Sequence, residues 1–392
     1  MKKVVIVSAV RTAIGSFGGM FKDIPAMELG VVAAQEAIKR AGIEKKDIQD
    51  VIVGHCFMRT DEINIARCIS LKSGIPFTTP AVTIQRQCSS SMQALVFGAQ
   101  QIMTGENDIV LIGGVENMSR IPYVLKTARW GTRLRHSELT DMLWEGLTDP
   151  LTGQIMGITA ENLAEKYKIS REEQDEIAFL SNKRAVAAID AGRFKPEIVP
   201  VVQKSKKGDK ILDTDEHPKR DVSLESLSKL PPTFKEKGTV TAGNSSGIND
   251  GAAFAVIMSE EKAKALGIKP LAEIVSHGVA GVEPELMGYG PVPATQKALQ
   301  RANMTLKDIE LIELNEAFAA QYLACEKLLG LNREITNVNG SGIALGHPVG
   351  CTGLRIVVSL IYEMKRRGVE IGLATLCVGG GMGKAIIIKN LN

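Results

Sequence analysis

The stretch Gln85-Arg-Gln-Cys88-Ser-Ser-Ser-Met-Gln-Ala-Leu95 sets a cysteine where an apolar, strand-like run gives way to a helical pattern. A helix N-terminus carries partial positive charge and unpaired N–H groups, and both favour thiolate over thiol. Cys88 is therefore a candidate nucleophile. The plainer reading is a small buried hydrophobe, the usual role of a reduced cysteine. A second stretch, Asn339-Gly-Ser-Gly-Ile-Ala-Leu-Gly-His347-Pro-Val-Gly350, packs glycines around one histidine, as where a backbone approaches a ligand closely and an imidazole is fixed on a rigid loop. A third, Cys377-Val-Gly379-Gly380-Gly381, empties the last buried strand into a glycine run whose N–H groups could meet a ligand oxygen. In the fourth, Leu314-Asn315-Glu316-Ala317-Phe318, polar residues end an apolar strand, a common mark of a site in α/β domains. Two cysteines and one histidine at strand ends suggest acyl transfer through a thioester, with the second thiol free to move a proton. The six cysteines (56, 68, 88, 325, 351 and 377) show no C-x-x-C pair and no Cys/His ligand spacing, so neither a disulfide framework nor a metal is expected.

The elements that must position these residues alternate buried strand with helix. KVVIVSAV is followed by a helix over about 25–41, DVIVGHC by a helix near 62–73, AVTIQRQC by a helix near 90–104, and then comes DIVLIGGVE. Continuous apolar strands between amphipathic helices predict a sheet covered on both faces. The last third repeats the pattern: AIKRAGIEKKDIQDVIVGHC aligns with ALQRANMTLKDIELIELNEA, and the run from Cys88 to Gly105 matches that from Cys351 to Gly368. The chain reads as a tandem duplication of one α/β unit. Between the halves the pattern breaks, with one long helix expected from ITAENLAEKY through SREEQDEIAFLSNKRAVAAIDAG and a capping box at Ser170. This insert should lie over the active face. Its lysines at 204, 206, 207 and 210 are either a solvated surface or an electropositive rim for a phosphate-rich ligand.

At 392 residues, 44% apolar and 23% charged, the chain has the composition of a globular protein of about two or three domains. A net charge of +3 gives no reason to expect nucleic acid as a partner. The apolar run Val4 to Val10, ended by Arg11, is too short for a secretory signal or a membrane span, so a cytoplasmic protein without membrane attachment is expected.

These residues together resemble the thiolase family over nearly the whole chain. The matching stretches are Cys88 in its strand-to-helix turn, Asn315-Glu316-Ala317-Phe318, Gly346-His347-Pro348 and Cys377-Val-Gly379-Gly380, with Asp215-Glu-His-Pro and Thr241-Ala-Gly-Asn-Ser-Ser246-Gly in the insert. The resemblance implies an α/β thiolase fold: two duplicated βαβαβαββ halves in a five-layer αβαβα arrangement with an inserted loop domain. The boundaries would be 1–117 with 248–270, 118–247, and 271–392. It implies that Cys88 accepts the acyl group, His347 activates it, and Cys377 removes the α-proton from the second acyl-CoA. Asn315, holding a water, and His347 would form one oxyanion hole, and the amides of Cys88 and Gly379 the other. Ser246 would contact pantetheine and Lys219 the nucleotide, while Met156, Met287, Ala317 and Phe318 would lie against the substrate. The implied reaction is that of an acetyl-CoA acetyltransferase, two acetyl-CoA giving acetoacetyl-CoA and CoA. Coenzyme A is the acyl carrier and no further cofactor is implied. A broader-chain 3-ketoacyl-CoA thiolase of fatty acid oxidation is the nearest alternative, and an inactive acyl-CoA-binding protein an alternative of another class. A decarboxylating ketoacyl synthase is disfavoured, because it normally has a second histidine near 315–318 and nothing like Cys377. The family also implies a homodimer or homotetramer. Ser89 and Ser91 replace glycines usual in the family and could cap the following helix. Gln85 stands where asparagine is common, and Ile155 where many short-chain members have histidine.

Overall fold

The structure is a computed structural model that describes residues 2–206 and 208–391. In chain order, β1 (Val4–Thr12), α1 (Ala26–Ala41), β2 (Asp50–Gly54), α2 (Ile65–Lys72), β3 (Ala81–Ile84), α3 (Ser90–Thr104) and β4 (Ile109–Asn117) form the first unit. After β4 the chain leaves the sheet. In this excursion lie α4 (Met156–Tyr167) and α5 (Arg171–Asp190); Ile198–Val199 pairs briefly with the end of β1, and the chain returns in full as β5 (Asn249–Ser259), between β1 and β4. A second unit follows: β6 (Ala272–Gly281), α6 (Pro291–Ala302), β7 (Leu311–Leu314), α7 (Ala319–Leu329), α8 (Val349–Arg367), β8 (Ile371–Val378) and β9 (Met382–Asn390). Every residue of β1, β4 and β5 is buried, as continuous apolar strands covered on both faces must be.

The duplication read from sequence is present in the topology. The strand order is β3-β2-β4-β5-β1 in the first unit and β7-β8-β9-β6 in the second, with Thr336 bridging Ile312 where a strand corresponding to β3 would stand. The units join through a short antiparallel contact of β1 with β6. Both joining strands carry the same irregularity, at Ile6/Ser8 in β1 and Ile274/Ser276 in β6. Ser8 donates to the Ala37 carbonyl at 2.6 Å and Ser276 to that of Ala298 at 2.8 Å, the two alanines that the sequence alignment pairs.

Three apolar cores follow from this layering. One lies beneath α1 and α2, one beneath α6 and α7, and the middle one holds α3 and α8 between the strands of the two units. Close approach of α3 to its sheet requires glycine at 54 and 114, since a Cβ at either would overlap Ser91. Ser91 in turn ties the central helices together, donating to the Cys351 carbonyl at 3.0 Å and accepting from the Leu354 amide at 2.8 Å.

The insert differs from the expected single helix. Lys168 adopts a left-handed φ of 51° that closes α4, and Ser170 then starts α5. The predicted capping box is formed: Ser170 Oγ accepts from the Glu173 amide, and Glu173 Oε2 accepts from the Ser170 amide at 2.7 Å. The Asp215-Glu216 pair of the motif anchors the insert. Asp215 receives both Nη atoms of buried Arg11 (2.7 and 2.9 Å), whose Nε meets Glu197 at 2.6 Å, and Glu216 receives the Ser16 amide. Lys204, Lys206 and Lys210 are exposed at a hairpin, and Lys207 lies outside the described residues. Among the described residues no helix is long and apolar enough to cross a membrane.

Candidate active site

Cys88 lies two residues before α3, on a turn tightened by Gln87 at φ 42°, and lines a cavity of about 440 Å³ together with Met156, Val349 and Gly379. Burial pushes its thiol up, and hydrogen bonds from the backbone amides of Gly379 and of Cys88 itself work against that by favouring the thiolate. Cys377, near the C-terminal end of β8, is buried, and burial followed by the nearby Cys88 sulfur raises its thiol far above an ordinary cysteine. Only one of these two neighbouring thiols can readily carry charge at a time.

His347 is buried on the turn before α8, preceded by Gly346 at φ 99°, a conformation that a side chain would strain. Its amide donates to Asn249 Oδ1 at 2.9 Å, and its Nδ1 lies 2.6 Å from Thr352 Oγ1. Burial, reinforced by the Arg355 guanidinium, lowers the imidazole to about 3, so the ring is neutral at physiological pH. Asn315 follows β7 and is fully buried, its amide held by the Thr375 carbonyl at 3.0 Å. Arg355 Nη2 stands 3.5 Å from Asn315 Oδ1, while Asn315 Nδ2 has no partner among the described residues. An unpaired buried amide is a donor available to a ligand or a water.

Of the remaining expected residues, Met156 lines the Cys88 cavity and lies 3.5 Å from where a Cβ on Gly379 would stand. Met287, Ala317 and Phe318 are buried in the core against which Met156 packs, and Phe318 meets Phe234 edge-to-face at 6.2 Å. Ser246 is half-buried and its amide donates to the Ala317 carbonyl at 2.8 Å, which joins the two motif loops. Lys219 is exposed and does not line the cavity; its backbone amide is bound by Asn182 Oδ1. Ser89 stands at the helix cap, but its hydroxyl turns back to the Arg86 carbonyl and the expected side-chain cap is not made.

Sequence reasoning missed Thr352, Asn249 and Arg355. Only Arg355 left a signal: a charge in the middle of an apolar helix. It also aligned Cys88 with Cys351. Counted back from their closing glycines, α8 begins about one turn earlier than α3, which buries Cys351 within the helix and leaves His347 on the preceding turn.

Models of the thiolase N-terminal and C-terminal domains match residues 4–261 and 268–390. An acetyl-CoA acetyltransferase of Syntrophomonas wolfei is 50% identical over the full length of both chains, and the beta-ketothiolase BktB of Cupriavidus necator 48% identical, also over both full lengths. Among solved structures, the acetyl-CoA acetyltransferase of Bacillus anthracis superposes with a TM-score of 0.98 at 54% identity, covering 100% of this chain and 99% of its own. Human mitochondrial 3-ketoacyl-CoA thiolase superposes at 0.97 with 46% identity, over 99% of each chain.

Proposed function

The chain belongs to the thiolase family of acyltransferases, and from that premise we propose that it is an acetyl-CoA acetyltransferase in which Cys88 carries the acyl group. The observation that supports this most is the placement of Cys88 and Gly379 on one cavity just before the N-terminus of α3, with the Cys377 thiol close enough to feel the Cys88 charge. In the first half-reaction Cys88 gives its proton to His347 and its sulfur attacks the thioester carbon. The CoA thiolate then leaves and takes that proton, and acetyl-Cys88 remains. In the second, Cys377 passes its thiol proton to neutral His347, and the resulting thiolate takes a proton from the methyl group of another acetyl-CoA. The enolate carbon attacks acetyl-Cys88, the new C–C bond forms, and the Cys88 thiolate leaves and takes the proton held on His347, so both thiols and the neutral imidazole are restored.

Two thioester oxygens become negative in this cycle. The amides of Cys88 and Gly379 meet one, and Asn315, through a water, with His347 meets the other; a lost donor of this kind typically costs about 3–4 kcal/mol of barrier. A ring held neutral, as His347 is, can accept the thiol proton. Ser246 and Lys219 serve pantetheine and nucleotide, and Met156, Met287, Ala317 and Phe318 the acyl side. CoA thioesters are the only small molecules the cycle needs. The same proposal locates the enzyme in the cytoplasm, in fatty acid metabolism, as a homodimer or homotetramer. Exposed Tyr123, Trp130, Leu134, Leu139, Trp144 and Leu151, gathered within residues 123–151, support self-association.

A broader-chain 3-ketoacyl-CoA thiolase is the second reading, favoured by Ile155 in place of a polar residue at the start of α4. Thiolysis rates on acetoacetyl-CoA against eight- to sixteen-carbon 3-ketoacyl-CoA decide between them. Preference for acetoacetyl-CoA is expected, and strong preference for the long substrates sinks the first reading. Molar mass in solution checks the assembly, which a monomer would refute.

A further inference from the structure

Phe57 stands on the loop that leaves β2, beside the candidate nucleophile, and its position is fixed from behind. Its amide donates to Glu116 Oε1 at 3.2 Å and that of Cys56 to Glu116 Oε2 at 2.9 Å, while the same Oε2 accepts from the Gly350 amide at 3.0 Å in the first turn of α8. The ring is buried with Met118, Leu143 and Val349 in a small apolar cluster against which Cys88 packs. The ring is packed tightly against Gly146, where a Cβ would overlap it.

Two cavities meet at this ring. One, of about 440 Å³, holds Cys88, Met156 and Gly379; the other, of about 260 Å³, is lined by Cys56, Met142 and Glu145. They share Phe57, Gln85, Gln87 and Gly146, and of these only Phe57 presents an apolar side chain. We propose that Phe57 is the wall that sets the length of acyl chain carried on Cys88. The inference rests on the reading of Cys88 as acyl acceptor. An acetyl group ends one carbon beyond its carbonyl and needs no space past the ring. The hexanoyl group left on Cys88 by thiolysis of 3-ketooctanoyl-CoA has four more methylenes, which need room past the ring, and the space behind Phe57, where Cys56 and Met142 stand beside Gln85, Gln87 and Glu145, provides it once the ring is removed.

The test compares kcat/KM for thiolysis of 3-ketooctanoyl-CoA with that for acetoacetyl-CoA in wild type, Phe57→Ala and Phe57→Leu. The ratio should rise by about tenfold or more in Phe57→Ala and by less in Phe57→Leu. Phe57→Trp, which thickens the wall, should lower the ratio of 3-ketohexanoyl-CoA to acetoacetyl-CoA. If Phe57→Ala does not fold, Phe57→Leu and Phe57→Trp decide in the same way. Ratios within about twofold of wild type in every folded variant would overturn the inference. A wild-type enzyme inactive on acetoacetyl-CoA would instead strike the assignment of activity.

Discussion

Thr352→Val isolates the state of the imidazole. His347 Nδ1 lies 2.6 Å from Thr352 Oγ1, and that hydroxyl donates its single proton to the Pro348 carbonyl at 2.9 Å. The oxygen can then only accept from His347, so the ring proton sits on Nδ1 and the lone pair on Nε2. With the imidazole lowered to about 3 by burial and Arg355, that lone pair is present at every ordinary assay pH. Valine keeps the shape of threonine and removes the oxygen. Pro348 still accepts from the amides of Cys351 and Thr352, both at 2.9 Å, so among these bonded groups the imidazole Nδ1–H is the one left without a partner. Orphaning a buried donor costs about 1–3 kcal/mol. The ring escapes that cost by moving its proton to Nε2, where it can no longer act as base, so kcat/KM for acetoacetyl-CoA thiolysis should fall about 5- to 150-fold. Alkylation of Cys88 by iodoacetamide at neutral pH should slow in parallel, with Thr352→Ser restoring both. A folded Thr352→Val enzyme with both rates within about twofold of wild type would refute the reasoning.

Two further perturbations probe the frame around the site. Burial alone would lower His55, but the Glu116 carboxylate 3.1 Å away outweighs it and raises the imidazole to about 9. A raised folded value means that its stabilisation is complete below the unfolded value of about 6.5 and is lost as pH climbs through 9. His55→Gln should therefore flatten the fall in melting temperature between about pH 7 and 10, and an unchanged profile would remove His55 as its source. Asp215→Ala leaves buried Arg11 with Glu197 as its one acidic partner among the described residues, and breaking such a pair costs about 3–5 kcal/mol. Chemical denaturation should show that loss; a change below about 1 kcal/mol would mean that the insert is held elsewhere.

Much of the fold was legible because its signals are local. The span of α3 and the capping box at Ser170 came from side-chain period and from a serine with glutamate three residues on. The break between α4 and α5 was not, since a lysine in left-handed conformation leaves no mark in composition. Sequence shows only neighbouring residues, and from those the hydroxyls of Ser89 and Ser91 suit helix caps. Their actual partners are Arg86 in the preceding turn and Cys351 on the other central helix. Thr352 and Arg355 matter through three-dimensional contact with His347 and Asn315, and motif spacing cannot report such contact. Phe57 reads as one more apolar residue until its ring is seen between two cavities.

The central claim is that the acyl group rides on Cys88, and the most direct measurement is the site of acetylation. A Cys377→Ser enzyme incubated with acetyl-CoA, digested and analysed by mass spectrometry should carry one acetyl group, on the peptide containing Cys88, and should not form acetoacetyl-CoA. Acetyl on another residue, or a Cys88→Ser enzyme that still condenses acetyl-CoA, would contradict the account.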